Sequence, residues 1–319
     1  MKKLKTVLTL LIVAALLAGL FVGGLNQSSV ATKQEFLFDT LCTISVYSKR
    51  YASAMENAFD AAAEIHHLTD FYSTDSDTSK INNAEANKPI SVDSHTINML
   101  MLAQEINEKS NGAFDISIAP ISRLWKFKDE NPTPPAAEQI NALLSYVGSD
   151  ALVIDAKDKT VTKKYDNVQI DLGAIAKGYA ADIAAKVLKA EDVKSGLIDF
   201  GGNIVTIGEN PKTNNKKWRI GLQTPYAPTG DYSKIVEIHS GAAVTSGTYQ
   251  RYFEYNGTRY HHIIDPKTGY PANRNYESVT VVADSGALCD CLATAIFVMG
   301  EDSGKKLAEE FNAQVYFLP

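Results

Sequence analysis

Apolar and polar positions alternate through residues 35–47, where Phe36, Phe38, Thr40, Cys42, Ile44 and Val46 share one parity. That period of two predicts a single long strand, entered from a polar linker over residues 26–34. From residue 52 the period changes. Residues 52–68 and 94–109 carry apolar side chains at three- and four-residue spacings and read as helices, the second stopped by Asn111-Gly112. A Ser/Thr/Asp-rich loop over 72–79 lies between them. Residues 113–125 are apolar but interrupted by Pro120, and the three prolines of 131–136 predict a turn before a short helix reaching Leu144.

The middle of the chain turns to strands: 151–154, 161–164 and 168–171. A helix over 174–188 follows, with Ile175, Tyr179, Ile183 and Val187 on one stripe. Further strands are predicted at 196–199, 218–222 and 235–238. Residues 251–255 and 259–264 flank Asn256-Gly257, a hairpin turn signal. A strand at 278–283, an apolar helix over 286–300, a helix at 304–311 and a strand at 314–318 complete the chain. Strands and helices mix without strict βα alternation, so the pattern predicts one compact α+β unit over residues 32–319.

The first residues change the picture. Lys2, Lys3 and Lys5 precede an apolar run from residue 7 to 25, broken only by Thr9, Gly19, Gly23 and Gly24. Roughly 20 such residues span a bilayer, and the lysines orient the N-terminus toward the cytoplasm. Residues 1–31 therefore read as a signal peptide or an N-terminal membrane anchor, which places the body outside the cytoplasmic membrane. The net charge of −6 offers no basic field for nucleic acid. The three cysteines, Cys42, Cys289 and Cys291, make no disulfide framework and read as small buried side chains.

Candidate chemistry gathers in five places. In the helix at 286–300, Asp290 and Thr294 are four residues apart, hence on one face, in an otherwise apolar segment. A carboxylate there needs a partner, and a hard cation such as Mg2+ takes such oxygen ligands. Asp171, Gly173, Ala174, Lys177 and Asp182 mark a strand-to-helix junction of the kind that binds phosphate, or an ordinary turn with a solvated lysine. Asp199-Phe-Gly-Gly-Asn203 permits close backbone approach, as ordinary turns also do. Thr245-Ser246-Gly247 reads as a hydroxyl-bearing turn. His261-His262 runs into Asp265-Pro266 and Thr268-Gly269, turn chemistry in its own right. Only one of two adjacent histidines can face a site, as a general base. His66, His67, His95 and His239 read as structural or surface residues.

In this order the motifs resemble the ApbE family of FAD:protein FMN transferases. The matching stretches are Phe38-Asp-Thr40, Tyr72 with the loop to Asn82, Gly112-Ala-Phe-Asp115, Asp171 to Asp182, Gly201-Gly202, Thr245-Ser-Gly247, His262 to Gly269 and Asp290 to Thr294. The likeness runs from residue 35 to the C-terminus. It implies a single ApbE-like, T-fold-related catalytic domain that uses Mg2+ and takes FAD as substrate. Such an enzyme moves FMN to a Thr or Ser hydroxyl of a flavoprotein and releases AMP. By the same resemblance the metal falls to Asp290, Thr294 and the carbonyl of Ala174. Flavin contacts fall to Phe38, Tyr72, Ala113, Phe114, Asp115, Asp171, Lys177 and Ile264, and the base is His262. Phe38-Asp39 departs from the family's usual Met-Gly. Two other activities fit the same residues: hydrolysis of FAD to FMN and AMP, and flavin binding without catalysis. With export, the resemblance implies an acceptor that is also outside the membrane, a flavin-based electron-transfer protein.

Overall fold

The structure, a computed structural model, describes residues 30–47 and 51–319. The predicted signal or anchor over residues 1–31 falls almost wholly outside them. No described helix is long and apolar enough to cross a membrane.

The chain enters a hairpin of β1 (Ala31–Leu37) and β2 (Thr40–Val46). The single strand predicted over 35–47 is thus two strands, and residues 31–34 of the expected linker belong to β1. The reversal is at Phe38 and Asp39, both with positive φ (53° and 57°), a conformation a two-residue hairpin turn requires. Gly or Asn usually supplies it, which is why the sequence hides the turn. Cys42, Ile44 and Val46 are buried as expected, whereas Phe36 is 71% exposed.

β2 is the second strand of a seven-stranded antiparallel sheet. Its order is β1, β2, β6 (Gly196–Phe200), β7 (Asn203–Ile207), β10 (Gly241–Gly247), β13 (Ser278–Ala283) and β14 (Gln314–Leu318). β7 was not predicted, and Thr245-Ser246-Gly247 ends strand β10 rather than forming a turn. Ala242 and Val244 face one side of the sheet, and Ala243 the other. This alternation gives each face its own core.

On one face lie the helices α1 (Ala52–Thr69), α3 (Ser94–Lys109), α6 (Ala176–Ala190) and α7 (Gly286–Met299). The short α2 (Asp77–Asn83), which begins inside the loop predicted over 72–79, is capped by Ser76 Oγ accepting from Ser79 N at 3.0 Å. The other face is covered by the ribbon of β8 (Trp218–Gln223) and β9 (Tyr232–Ile238), whose Trp218, Ile220, Leu222, Val236 and Ile238 pack on Ala243 and Val282.

The small sheet of β3 (Ile90–Ser91), β5 (Thr160–Lys163) and β4 (Leu152–Asp155) adds Leu152 and Val161 to the helical core. A second lobe, with its own core of Ile121, Trp125, Ile140, Phe253 and Ile264, is built from α4 (Ala119–Leu124), α5 (Ala137–Leu144), the hairpin β11 (Tyr252–Tyr255) and β12 (Thr258–His261), and the segment after it. Pro120 sits in the first turn of α4 and starts that helix instead of breaking one. Trp125, fully buried, donates Nε1–H to Gly269 O at 2.8 Å and ties the end of α4 to the segment after His262. Residues 168–171 form no ladder, because Ile170 N–H donates to the Asn82 side chain and Asp171 N–H to Ile116 O.

The alanine-rich face of α6 lets it lie against α7 closely. A Cβ on Gly178 would sit 2.2 Å from Gly286 O. Asp182 fixes the start of α7 by accepting from Ser285 Oγ, Gly286 N and Ala287 N at 2.7, 2.7 and 3.0 Å. Asp182 is therefore a helix-capping group, not a site residue.

Candidate active site

Between the two lobes runs a cleft of about 1600 Å³, and every residue to which the family resemblance gave a catalytic, flavin or metal role lines it. Its floor comes from the C-terminal end of β10, the β6–β7 turn, the first turn of α6 and the middle of α7. Its sides carry Phe38, Tyr72, Ala113, Phe114 and Asp115, and also Arg251, His262 and Ile264. His66, read from sequence as structural or surface, also lines the cleft, its ring 4.9 Å from that of Phe38.

Asp290 is the deepest charged group, 4% exposed. Burial pushes its carboxyl pKa up; the Lys177 ammonium and the Gly178 amide pull the other way. Gly178 N–H donates to Asp290 Oδ2 at 3.1 Å. Four residues before it stands Ala174, whose carbonyl would accept that amide in a regular helix. Among the described residues the carbonyl therefore has no backbone donor. Asn203, the first residue of β7, is 3% exposed and lies against the same carboxylate. With its amide nitrogen toward Asp290, it donates to both carboxylate oxygens at 3.1 Å. The opposite orientation gives one 3.3 Å bond to Phe200 O and sets the amide oxygen against a carboxylate, so the first is the one chemistry requires.

Thr294 lies one turn beyond Asp290. Its Oγ1 donates to Asp290 O at 3.3 Å and is 3.2 Å from Ser246 Oγ. Thr245 and Thr280 alternate to the other face of the sheet, where their hydroxyls lie 2.7 Å apart across β10 and β13.

These groups fit a hard divalent cation. The Ala174 carbonyl lacks a donor, the Asp290 carboxylate is held by amides alone, and the Thr294 hydroxyl shares its helix face. All are oxygen donors suited to Mg2+. No cluster of three His, Cys, Asp or Glu side chains is present among the described residues, so ligands beyond these would be water or substrate oxygens. Cys289 and Cys291 are fully buried and free, with thiol pKa values pushed up by burial. Neither lines the cleft.

His262 follows β12, is half-buried and lines the same cleft. Its Nδ1 lies 3.2 Å from Arg251 O. A carbonyl only accepts, so Nδ1 carries the proton and Nε2 keeps its lone pair. Burial and then the Arg251 guanidinium lower the imidazole pKa to about 3, leaving it neutral near pH 7. Its neighbour His261 is buried and turned away, with Nε2 3.1 Å from Ala272 O.

The remaining nominated groups also line the cleft. Asp171 Oδ1 accepts from Gly173 N at 2.7 Å, and Lys177 Nζ donates to Gly173 O at 3.2 Å. Asp115 accepts from Ser117 N, Ser117 Oγ and Asn107 Nδ2 at 2.8, 2.6 and 2.9 Å. Burial raises its pKa against these bonds. Asp39 pairs with Lys128 at 2.6 Å, and Lys128 lies 5.6 Å over the exposed Tyr72 ring. Asn203 and Ser246 stood in the Gly-Gly and Thr-Ser-Gly candidate segments without a role of their own, and Arg251 and Lys128 were not nominated.

The ApbE family profile matches residues 38–317. The chain is 32% identical over 304 residues to the FAD:protein FMN transferase of Treponema pallidum, covering 91% of this chain and 84% of that one. With the FAD:protein FMN transferase of Haemophilus influenzae it shares 34% identity over 254 residues, 77% of this chain and 72% of that one. Among solved structures, the ApbE protein of Thermotoga maritima superposes with a TM-score of 0.82 at 33% identity, covering 91% of this chain and 94% of that chain. The flavin transferase ApbE of Vibrio cholerae superposes with a TM-score of 0.80 at 28% identity, covering 91% and 93%.

Proposed function

The chain belongs to the ApbE family and is an FAD:protein FMN transferase, and we propose that it works with Mg2+ and joins FMN to a Thr or Ser hydroxyl. The observation that carries this reading is the presence of two groups in one cleft. On the floor is an all-oxygen donor set, Asp290, Thr294 and the Ala174 carbonyl. On the wall is His262, whose unprotonated Nε2 is fixed by the Nδ1 contact with Arg251 O.

Bound Mg2+ would supply charge neutralisation on the pyrophosphate of FAD and on the AMP leaving group. The protein's own residues do the rest. Phe38, Tyr72, Phe114 and Ile264 offer apolar and aromatic surface for the isoalloxazine ring. Lys177, in the first turn of α6, adds positive charge beside the floor. An acceptor hydroxyl attacks the FMN phosphorus, a new P–O bond forms, and the P–O bond to AMP breaks. His262 Nε2 takes the hydroxyl proton. Positioning and charge stabilisation suffice for such a transfer.

The lysine-then-apolar opening of the sequence supports an acceptor outside the cytoplasmic membrane. Recovery of the modified protein solely from the cytoplasm would overturn that part of the proposal. The chemistry is tested by incubating the enzyme with FAD, Mg2+ and a flavoprotein acceptor domain. We expect AMP in a one-to-one ratio with covalently bound FMN, and fragmentation spectra that place the FMN on a Thr or Ser. AMP release with no modified acceptor would instead mean hydrolysis.

A further inference from the structure

The geometry points to Asn203 as a positioning residue that selects which oxygen of Asp290 meets the metal. This inference rests on the reading of Asp290 as a metal ligand.

A carboxylate oxygen has two lone pairs. Asp290 Oδ2 accepts from Gly178 N–H and, with the Asn203 amide nitrogen turned toward the carboxylate as its chemistry requires, from Asn203 as well, both at 3.1 Å, so both of its sites are used. Asp290 Oδ1 accepts from Asn203 alone, at 3.1 Å. One lone pair is left, and it belongs to Oδ1. A cation at this floor is therefore bound by Oδ1 alone, while the two amides hold the other side of the group. Without Asn203 both oxygens would have sites to spare and the carboxylate could rotate between them.

Asn203 is built for this. It is 3% exposed, and its backbone is fixed on both sides by pairing with Phe200 of β6 and Val244 of β10. It stands directly after Gly201 and Gly202, with φ values of 62° and 88°. That reversal brings the start of β7 under α7, and a Cβ on Gly201 would fall 2.6 Å from the Thr40 side chain. The side chain thus reaches Asp290 from a rigid strand. Outer partners of this kind typically change metal affinity by roughly 10- to 100-fold when removed.

The test uses Mn2+ in place of Mg2+, followed by electron paramagnetic resonance on the full-length protein. Asn203→Leu keeps the branched outline of the side chain and removes the donors. Its Mn2+ dissociation constant should rise roughly 10- to 100-fold, with FAD affinity in metal-free buffer unchanged. A simple packing role would weaken both together. Asp290→Ala should abolish Mn2+ binding; if it does not, the metal reading itself fails. If Asp290→Ala abolishes binding and Asn203→Leu leaves it unchanged, only the role of Asn203 is overturned. Should Asn203→Leu not fold, crystals of the parent protein soaked in Mn2+ decide. One Asp290 oxygen on the ion, with Asn203 Nδ2 bonded to the carboxylate, is the expected result. Two Asp290 oxygens on the ion, or Asn203 turned away, would contradict it.

Discussion

His262 shows how one side chain can be legible by type and opaque by state. Its place in the motif order marked it as the base, but no sequence feature revealed that Arg251 O holds Nδ1 or that burial lowers its pKa to about 3 from an ordinary value of 6.5. The consequence for rate is specific. A base already neutral above pH 5 gives kcat/KM no acid limb near pH 6.5. A limb there in the parent enzyme that vanishes in His262→Gln would contradict the assignment. That substitution should lower kcat roughly 100- to 10,000-fold while leaving FAD binding in place. The same shift affects stability. The folded pKa lies below the unfolded one, so the unfolded chain binds more protons between the two values. The contribution is intact above pH 6.5 and lost as pH falls toward 3. Thermal melts from pH 7 to 4 should therefore fall less steeply for His262→Gln than for the parent. Asn203 was less legible still, since a buried polar residue at a strand start reveals its partner only when β7 and α7 are brought together.

Among the elements, those with one strong period were readable. The predicted helix at 94–109 and the strands at 278–283 and 314–318 have the bounds observed for α3, β13 and β14. β10, Gly-Ala-Ala-Val-Thr-Ser-Gly, was missed because it is buried on both faces and carries small residues, so no alternation survives. The β1–β2 reversal was missed because Phe38 and Asp39 adopt a conformation their types rarely supply. The packing of α6 on α7 was equally hidden, though it places the Gly178 amide on Asp290. A methyl group at Gly178 would meet Gly286 O at 2.2 Å and must force the helices apart. Gly178→Ala should therefore cost about 1–3 kcal/mol in denaturant unfolding and weaken Mn2+ binding as well. A variant with parental stability and parental metal affinity would show that this close approach does not set the site.

At the scale of the molecule, the α+β class and the single catalytic unit were legible, and the family profile spans residues 38–317. The arrangement was not. A seven-stranded antiparallel sheet carries helices on one face and a ribbon on the other, and the second lobe closes over it to leave one long cleft. Pairings such as β2 with β6 and β7 with β10 join residues distant in the chain, and local pattern carries no information about them. The cleft exceeds the roughly 300–1000 Å³ typical of a site for one small molecule, as a reaction between a dinucleotide and a protein segment requires.

The central claim is that FMN transfer passes through the Asp290–Thr294 floor with a divalent cation. Its most direct test is the intact mass of an acceptor flavoprotein domain after incubation with FAD. With the parent enzyme and Mg2+, the acceptor should gain one FMN through a phosphoester. The gain should disappear when a chelator replaces Mg2+, and when Asp290→Ala replaces the parent at equal folded content. Full modification by Asp290→Ala, or by the parent in chelator, would contradict the account.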